Sequence, residues 1–189
     1  MAWRKLSSIE LAEAQQVFNT AISYQQVRIA EGSRFAYSVG YIGSLFDRGG
    51  QRPAENAMTV GYSIRFSRKL KTDQSQPDQT RIGDTAWLIH ELTHVWQYEH
   101  TGWSYLPHAV KERVIHGSKA YEYSSKKGLL NRGKDLQKQW LDGQRFYKFK
   151  REQQGNVVRD YYVAMKTNED TSGWEPFIRE LRNVALNST

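Results

Sequence analysis

The sequence predicts an α+β fold, a small antiparallel or mixed sheet packed on a helical core, and three observations carry that expectation. In "MTVGYSIRF" the residues Met58, Val60, Tyr62, Ile64 and Phe66 alternate with small or polar ones, the period of two that marks a strand with one buried face. "SSIELAEAQQVFNT" and the stretch between Asp84 and Gly102 place their apolar residues at helical spacing instead. Beyond Pro107 the pattern is mostly helical, so strands gather in the first half of the chain and helices in the second.

Ser7 and Glu10 form a capping-box pair ahead of the first helix, in which Ile9, Leu11, Ala14, Val17 and Phe18 fall near helical spacing. "SYQQVRIAEG" reads as a short strand ending at Gly32, and residues 33–56, including "DRGGQRP", as loop or irregular hairpin. The polar run "KTDQSQPDQTRIG" is a surface loop, and Asp84 the N-cap of a helix that carries Trp87, Leu88 and Ile89 and weakens near Gly102. Further helices are expected over 108–127, 133–141 and 146–166, and "NEDTSGWEP" precedes a last helix, "FIRELRNVAL". No internal repeat interrupts this order. At 189 residues the chain fits one domain, 1–189, with an α/β part over about 1–105 and a helical part over about 106–189.

With no cysteine, the chain has neither disulfides, thiolate metal sites nor a cysteine nucleophile, so any metal must bind through nitrogen and oxygen. The basic start "MAWRKLSSIE" has no apolar run behind it, so no Sec-type signal is visible, and no stretch is apolar enough for a membrane span. The formal net charge is +7, and between Lys111 and Arg151 alone 12 Lys or Arg face 4 Asp or Glu, so this segment supplies the whole imbalance. It reads as a solvated helical face, with a docking surface for an acidic partner or anionic polymer as the sharper reading. Aromatics interleave with charge in "WLDGQRFYKFKR", but no nucleic-acid-binding motif accompanies them, and nucleic acid is not an expected partner.

His90-Glu91-Leu92-Thr93-His94 fits H-E-x-x-H within an expected helix. Four residues on a helix span about 400° of rotation and about 6 Å of rise, so both imidazoles leave one face, the geometry of two nitrogen ligands on one Zn²⁺. Glu91 sits one step round, where it reaches a water rather than the metal; as general base it would take that water's proton and pass it to the leaving amine of a cleaved peptide.

A catalytic zinc needs a third protein ligand, and three residues compete for the role. His100 has the spacing of H-E-x-x-H-x-x-G-x-x-H, but Gln97 stands where that pattern needs a glycine for the chain to leave the helix; if the helix continues, His100 lies about 15 Å along the axis from His90. Glu122 follows His94 by 28 residues and could belong to the next helix. Glu152, the lone acid in "YKFKREQQGN", is favoured and would complete a His-His-Glu set, with Asn156 or Asp160 supporting a ligating histidine from behind.

"LSSIELAEAQQVFNTAISYQQVRI", "NAMTVGYSIRFS", "DTAWLIHELTHVWQYEHTG" and "YKFKREQQGNVVRDYY" resemble, in order, the blocks of a bacterial zincin-like metallopeptidase family. Its members occur as cargo-linked domains of contractile injection systems and as vgr-related proteins near type VI secretion genes. The chain departs from the family pattern at Gly155 and Asn156, where relatives carry Ala and Glu, and keeps Glu152. The resemblance implies a zincin fold, with the 58–66 strand as the edge above the H-E-x-x-H helix, where an extended substrate adds as a further strand. It implies His90, His94 and Glu152 as zinc ligands, Glu91 as base, and an oxyanion donor among Tyr161, Tyr162 and His116. It also implies a protein or peptide substrate, a secretion-apparatus or immunity-protein partner, and synthesis in the bacterial cytoplasm followed by delivery through a contractile or type VI system. The competing expectations are a catalytically weak structural or targeting module of such a system, and a hydrolase of peptidoglycan peptides that uses the basic segment to hold an anionic wall polymer.

Overall fold

The computed structural model describes residues 2–32, 57–73, 75–102 and 122–184. Among them the fold is α+β, with a four-stranded mixed sheet and five α-helices. In chain order these are β1 (Trp3–Arg4), α1 (Ser8–Phe18), β2 (Arg28–Ala30), β3 (Ala57–Val60), β4 (Ser63–Phe66), α2 (Asp78–Thr101), α3 (Leu129–Leu141), α4 (Arg151–Lys166) and α5 (Glu175–Val184). Short 3₁₀ turns, Tyr24–Gln26 and Phe146–Lys148, lead into β2 and α4. The strands lie in the order β1-β2-β4-β3, with β2 parallel to β4 and the other pairs antiparallel.

The expected capping box is present. Ser7 accepts from the Glu10 amide at 3.2 Å, and Glu10 Oε2 accepts from the Ser7 amide at 2.8 Å. Glu10 does more than cap. Its carboxylate also accepts from Arg4 at 2.7 and 2.9 Å and from the Thr72 hydroxyl at 2.9 Å, while Arg4 reaches on to Glu31 at 2.9 Å. One buried acid therefore ties β1, α1 and the segment ahead of α2 together.

The stretch read as one strand over 58–66 is a hairpin. Val60 pairs with Ser63, Thr59 with Ile64 and Ala57 with Phe66, leaving only Gly61 and Tyr62 as the turn. Gly61 has φ +59°, the conformation that a II′ turn requires at its first central position. Paired residues share a face, so the buried set switches from odd to even numbers at the turn: Thr59 on β3, then Ile64 and Phe66 on β4. Met58 and Val60, expected in the core, are half-buried on the other face.

α2 begins at Asp78, two turns before the expected cap, directly after Pro77, whose fixed φ and missing N–H suit a helix start. Asp84 is inside the helix and buried; it takes Arg68 at 2.6 and 2.7 Å and the Lys71 amide at 2.6 Å. The helix continues unbroken through Gln97 and ends at Gly102, φ +64°. Apart from half-buried Trp87, every residue from Asp84 to Gln97 is buried, and α2 packs most extensively on α4 while also meeting β3 and α1. Leu88, Ile89, Leu92 and Val95 join a core that includes Phe18, Ile64, Phe66 and Val157. At about 1.5–3 kcal/mol for each large apolar side chain fully buried, these contacts hold the helix and allow it to carry polar groups inside.

The C-terminal half is helical with shifted boundaries. The expected 108–127 helix lies outside the described residues over 103–121, and residues 122–127 are not helical. In the basic segment, 111–121 also lies outside them; Arg132 turns to Asp160 at 2.9 Å, and Arg145 covers the Trp140 ring at 4.3 Å beside Glu180. No described helix is long and apolar enough to cross a membrane.

Burial raises the Glu10 carboxyl pKa, but the Arg4 hydrogen bonds and charge and the Ser7 amide outweigh it and hold the group below its ordinary value. Its contribution is therefore present at neutral pH and is lost as pH falls below the ordinary carboxylate range. Glu10→Ala should lower stability in urea at pH 7 by about 1–3 kcal/mol, and this deficit should shrink towards pH 3. A deficit that does not change with pH would contradict the assignment.

Candidate metal centre

α2 carries His90, Glu91, Thr93, His94 and Gln97 into the interior, all at most 7 % exposed, and each has to find a partner there. Thr93 is satisfied within the helix, donating to the Ile89 carbonyl at 3.0 Å. The other four look outward to α4 and β3.

The donor atoms of His90, Glu91 and His94 lie within 4.8 Å of one another, a buried group that could hold a metal ion. Glu152, from the first turn of α4, enters the same space: its Oε2 is 3.2 Å from His90 Nε2 and 3.6 Å from His94 Nε2. Tetrahedral zinc with bonds of roughly 2.0–2.1 Å separates its donors by about 3.3 Å, so the two distances from Glu152 suit such an ion, as does the nitrogen and oxygen donor set. The two imidazoles stand nearly perpendicular, 81° apart with centroids at 5.0 Å. Gly155 lets this happen. A Cβ there would come within 2.6 Å of His90 Cε1, so the His90 ring lies against bare α4 backbone.

Glu91 and Glu152 are both near the histidines but are held differently. Glu91 Oε2 accepts a 2.7 Å hydrogen bond from the Thr59 hydroxyl, which ties the carboxylate to β3. Glu91, from the same helix as the two imidazoles, and Glu152, from α4, thus reach the pair from two different elements. Thr59 was not among the residues expected from the sequence. The signal was the two-residue turn around Gly61, which reverses the inward phase and points a threonine at the helix.

The other candidates are engaged elsewhere. His100 stacks on Trp96, 4.6 Å between centroids, with Nδ1 2.7 Å from the Trp96 carbonyl. Glu122 is exposed, outside any helix, and its backbone carbonyl accepts from Gln153 at 2.7 Å. Asp160, expected behind a histidine, instead accepts from Tyr123 at 2.6 Å and pairs with Arg132 and Arg159. Asn156 is buried one turn beyond Glu152. The two tyrosines proposed as oxyanion donors point to other partners, Tyr161 to Glu175 at 3.1 Å and Tyr162 to Glu13 at 3.2 Å; His116 lies outside the described residues. Behind His94 stands Gln97, its Oε1 2.9 Å from Nδ1.

Burial works against a charged His94, but the Glu152 carboxylate outweighs it, with Glu91 and Gln97 adding to the effect, and the pKa is pushed up to about 9. Glu152 is correspondingly held well below the usual carboxylate range; burial opposes this, and the charge of His94 and the hydrogen bonds of both histidines prevail. Below about pH 9 the chelator-treated protein therefore carries a proton on His94, and a metal must displace it. Zinc titration at pH 7.5, followed by calorimetry in buffers of different ionisation enthalpy, should show proton release and an affinity that falls as the pH is lowered. Heats that do not depend on the buffer would contradict the pairing.

Over 184 residues, 96% of its length, the chain is 26% identical to the type VI secretion system spike protein VgrG2b of Pseudomonas aeruginosa, of which it spans 15%. No protein-family profile and no solved structure matches it. The likeness is consistent with a link to the secretion system in which that spike protein works.

Proposed function

We propose that this chain is a zinc-dependent metallopeptidase and an effector of a type VI or related contractile secretion system. One observation carries the reading: His90, His94 and Glu152 converge from two helices at donor spacing, while Glu91 stands beside them with its carboxylate tied to β3. The spike-protein likeness supports the secretion setting.

His90 and His94 would supply the nitrogen ligands and Glu152 the oxygen ligand. Zinc, when bound, supplies a Lewis acid that polarises a peptide carbonyl and makes a water acidic. Glu91 handles the proton. The Thr59 hydroxyl occupies its Oε2, leaving Oε1 to accept from the attacking water and to donate to the leaving amine. β3 is one of the two edge strands among the described residues, and an extended peptide laid along it would add to the sheet next to the residue that orients the base.

Purified chain reconstituted with zinc should cleave a denatured protein mixture, and a chelator should stop it. Glu91→Gln should keep its zinc and lose about 10²–10⁴-fold in turnover. Glu152→Ala should lose most of its zinc. A zinc-loaded wild-type chain that cleaves nothing would favour the structural-module reading, and a Glu91→Gln variant with undiminished turnover would remove the assigned base. Thr59→Val should retain zinc and lower kcat by about tenfold with KM nearly unchanged, since a hydrogen bond to a charged group is lost. Full kcat in that variant would show that the hydroxyl does not orient Glu91.

A further inference from the structure

We propose that Gln97 and Gln154 form a directed amide relay that fixes which nitrogen of His94 carries a proton, and that the metal affinity of the site depends on it. The proposal rests on the reading of His94 as a zinc ligand.

The direction follows from the relay's far end. The Phe146 and Arg151 carbonyls can only accept. Gln154 lies 3.0 Å from the Phe146 carbonyl, so the amide group there must be its NH₂, and its Oε1 faces the other way. That Oε1 meets Gln97 Nε2 at 2.8 Å, and the same Nε2 donates to the Arg151 carbonyl at 2.9 Å, so both hydrogens of the Gln97 amide are used. Gln97 Oε1 is left facing His94 Nδ1 at 2.9 Å. An amide oxygen accepts only, so Nδ1 must bear the hydrogen. Nε2, which faces Glu152, is left as the nitrogen that a metal would take.

Turning either amide over would set oxygen against oxygen or N–H against N–H in a buried site, since Gln97 is 1 % and Gln154 7 % exposed. The relay is itself anchored. Phe146 lies in the 3₁₀ turn before α4, and its amide donates to Glu180 Oε2 of α5 at 2.6 Å. Gln97, which stands where a metzincin-type sequence would carry glycine, thus has a positive role: it is the group that orients the second histidine.

The test uses the whole 189-residue chain, stripped with a chelator and titrated with zinc against a chromophoric competitor, with Co²⁺ absorption spectra and metal-free melting curves alongside. Gln97→Leu should weaken zinc binding by about 10–100-fold and shift the Co²⁺ bands. Gln154→Leu, which leaves the Arg151 carbonyl as the single anchor of Gln97, should fall between Gln97→Leu and wild type, and it carries the test if Gln97→Leu fails to fold. Wild-type affinity and unchanged Co²⁺ bands in the leucine variants would overturn the relay, even if their metal-free melting temperatures fall. A wild-type chain that binds no zinc would overturn the metal reading itself, which is distinguishable because it shows before any variant is compared.

Discussion

The structure depends on one constraint: α2 takes a run of polar side chains into the interior, and each must be given a partner there. Apolar contacts hold the helix in place, and the sheet and α4 then supply the partners. β3 contributes Thr59 to Glu91, and α4 contributes Glu152 to the histidines and Gln154 to Gln97. Leaving any of these groups unpaired would cost about 1–3 kcal/mol, and more for a charged one. The site and the packing of α2 are therefore one problem with one solution.

That solution gives two glutamates different partners. Glu152 lies between two imidazoles and is held ionised by them. Glu91, one residue along from His90, is turned instead towards a hydroxyl on an edge strand. The same residue type thus takes up two environments within one small site. Gly155 makes the arrangement fit, because a side chain on α4 at that point would occupy the space of the His90 ring.

Much of this was legible in the sequence. The H-E-x-x-H spacing places both imidazoles on one face whatever surrounds the helix, and the Ser7–Glu10 box is a local motif that forms as written. Gln97 was read correctly as letting the helix run on, which carries His100 to a different partner. What was not legible depended on pairing between distant segments. A regular alternation over 58–66 concealed a two-residue turn, and so hid Thr59. Pro77 was a start signal inside a stretch whose polar residues suggested a loop. Asp84 and Asp160 looked like a cap and a histidine partner because their arginines, Arg68 and Arg132, come from other parts of the chain. Side-chain amides such as Gln97 and Gln154 carry no periodic signal, and only the three-dimensional structure shows that they meet.

The central claim is that two histidines and one carboxylate, from α2 and α4, hold a single zinc ion. X-ray absorption at the zinc edge of the reconstituted chain tests it most directly. The account predicts four nitrogen or oxygen neighbours at roughly 2.0–2.1 Å with multiple-scattering features of two imidazoles. A spectrum with three imidazoles, or with fewer than two, would contradict it.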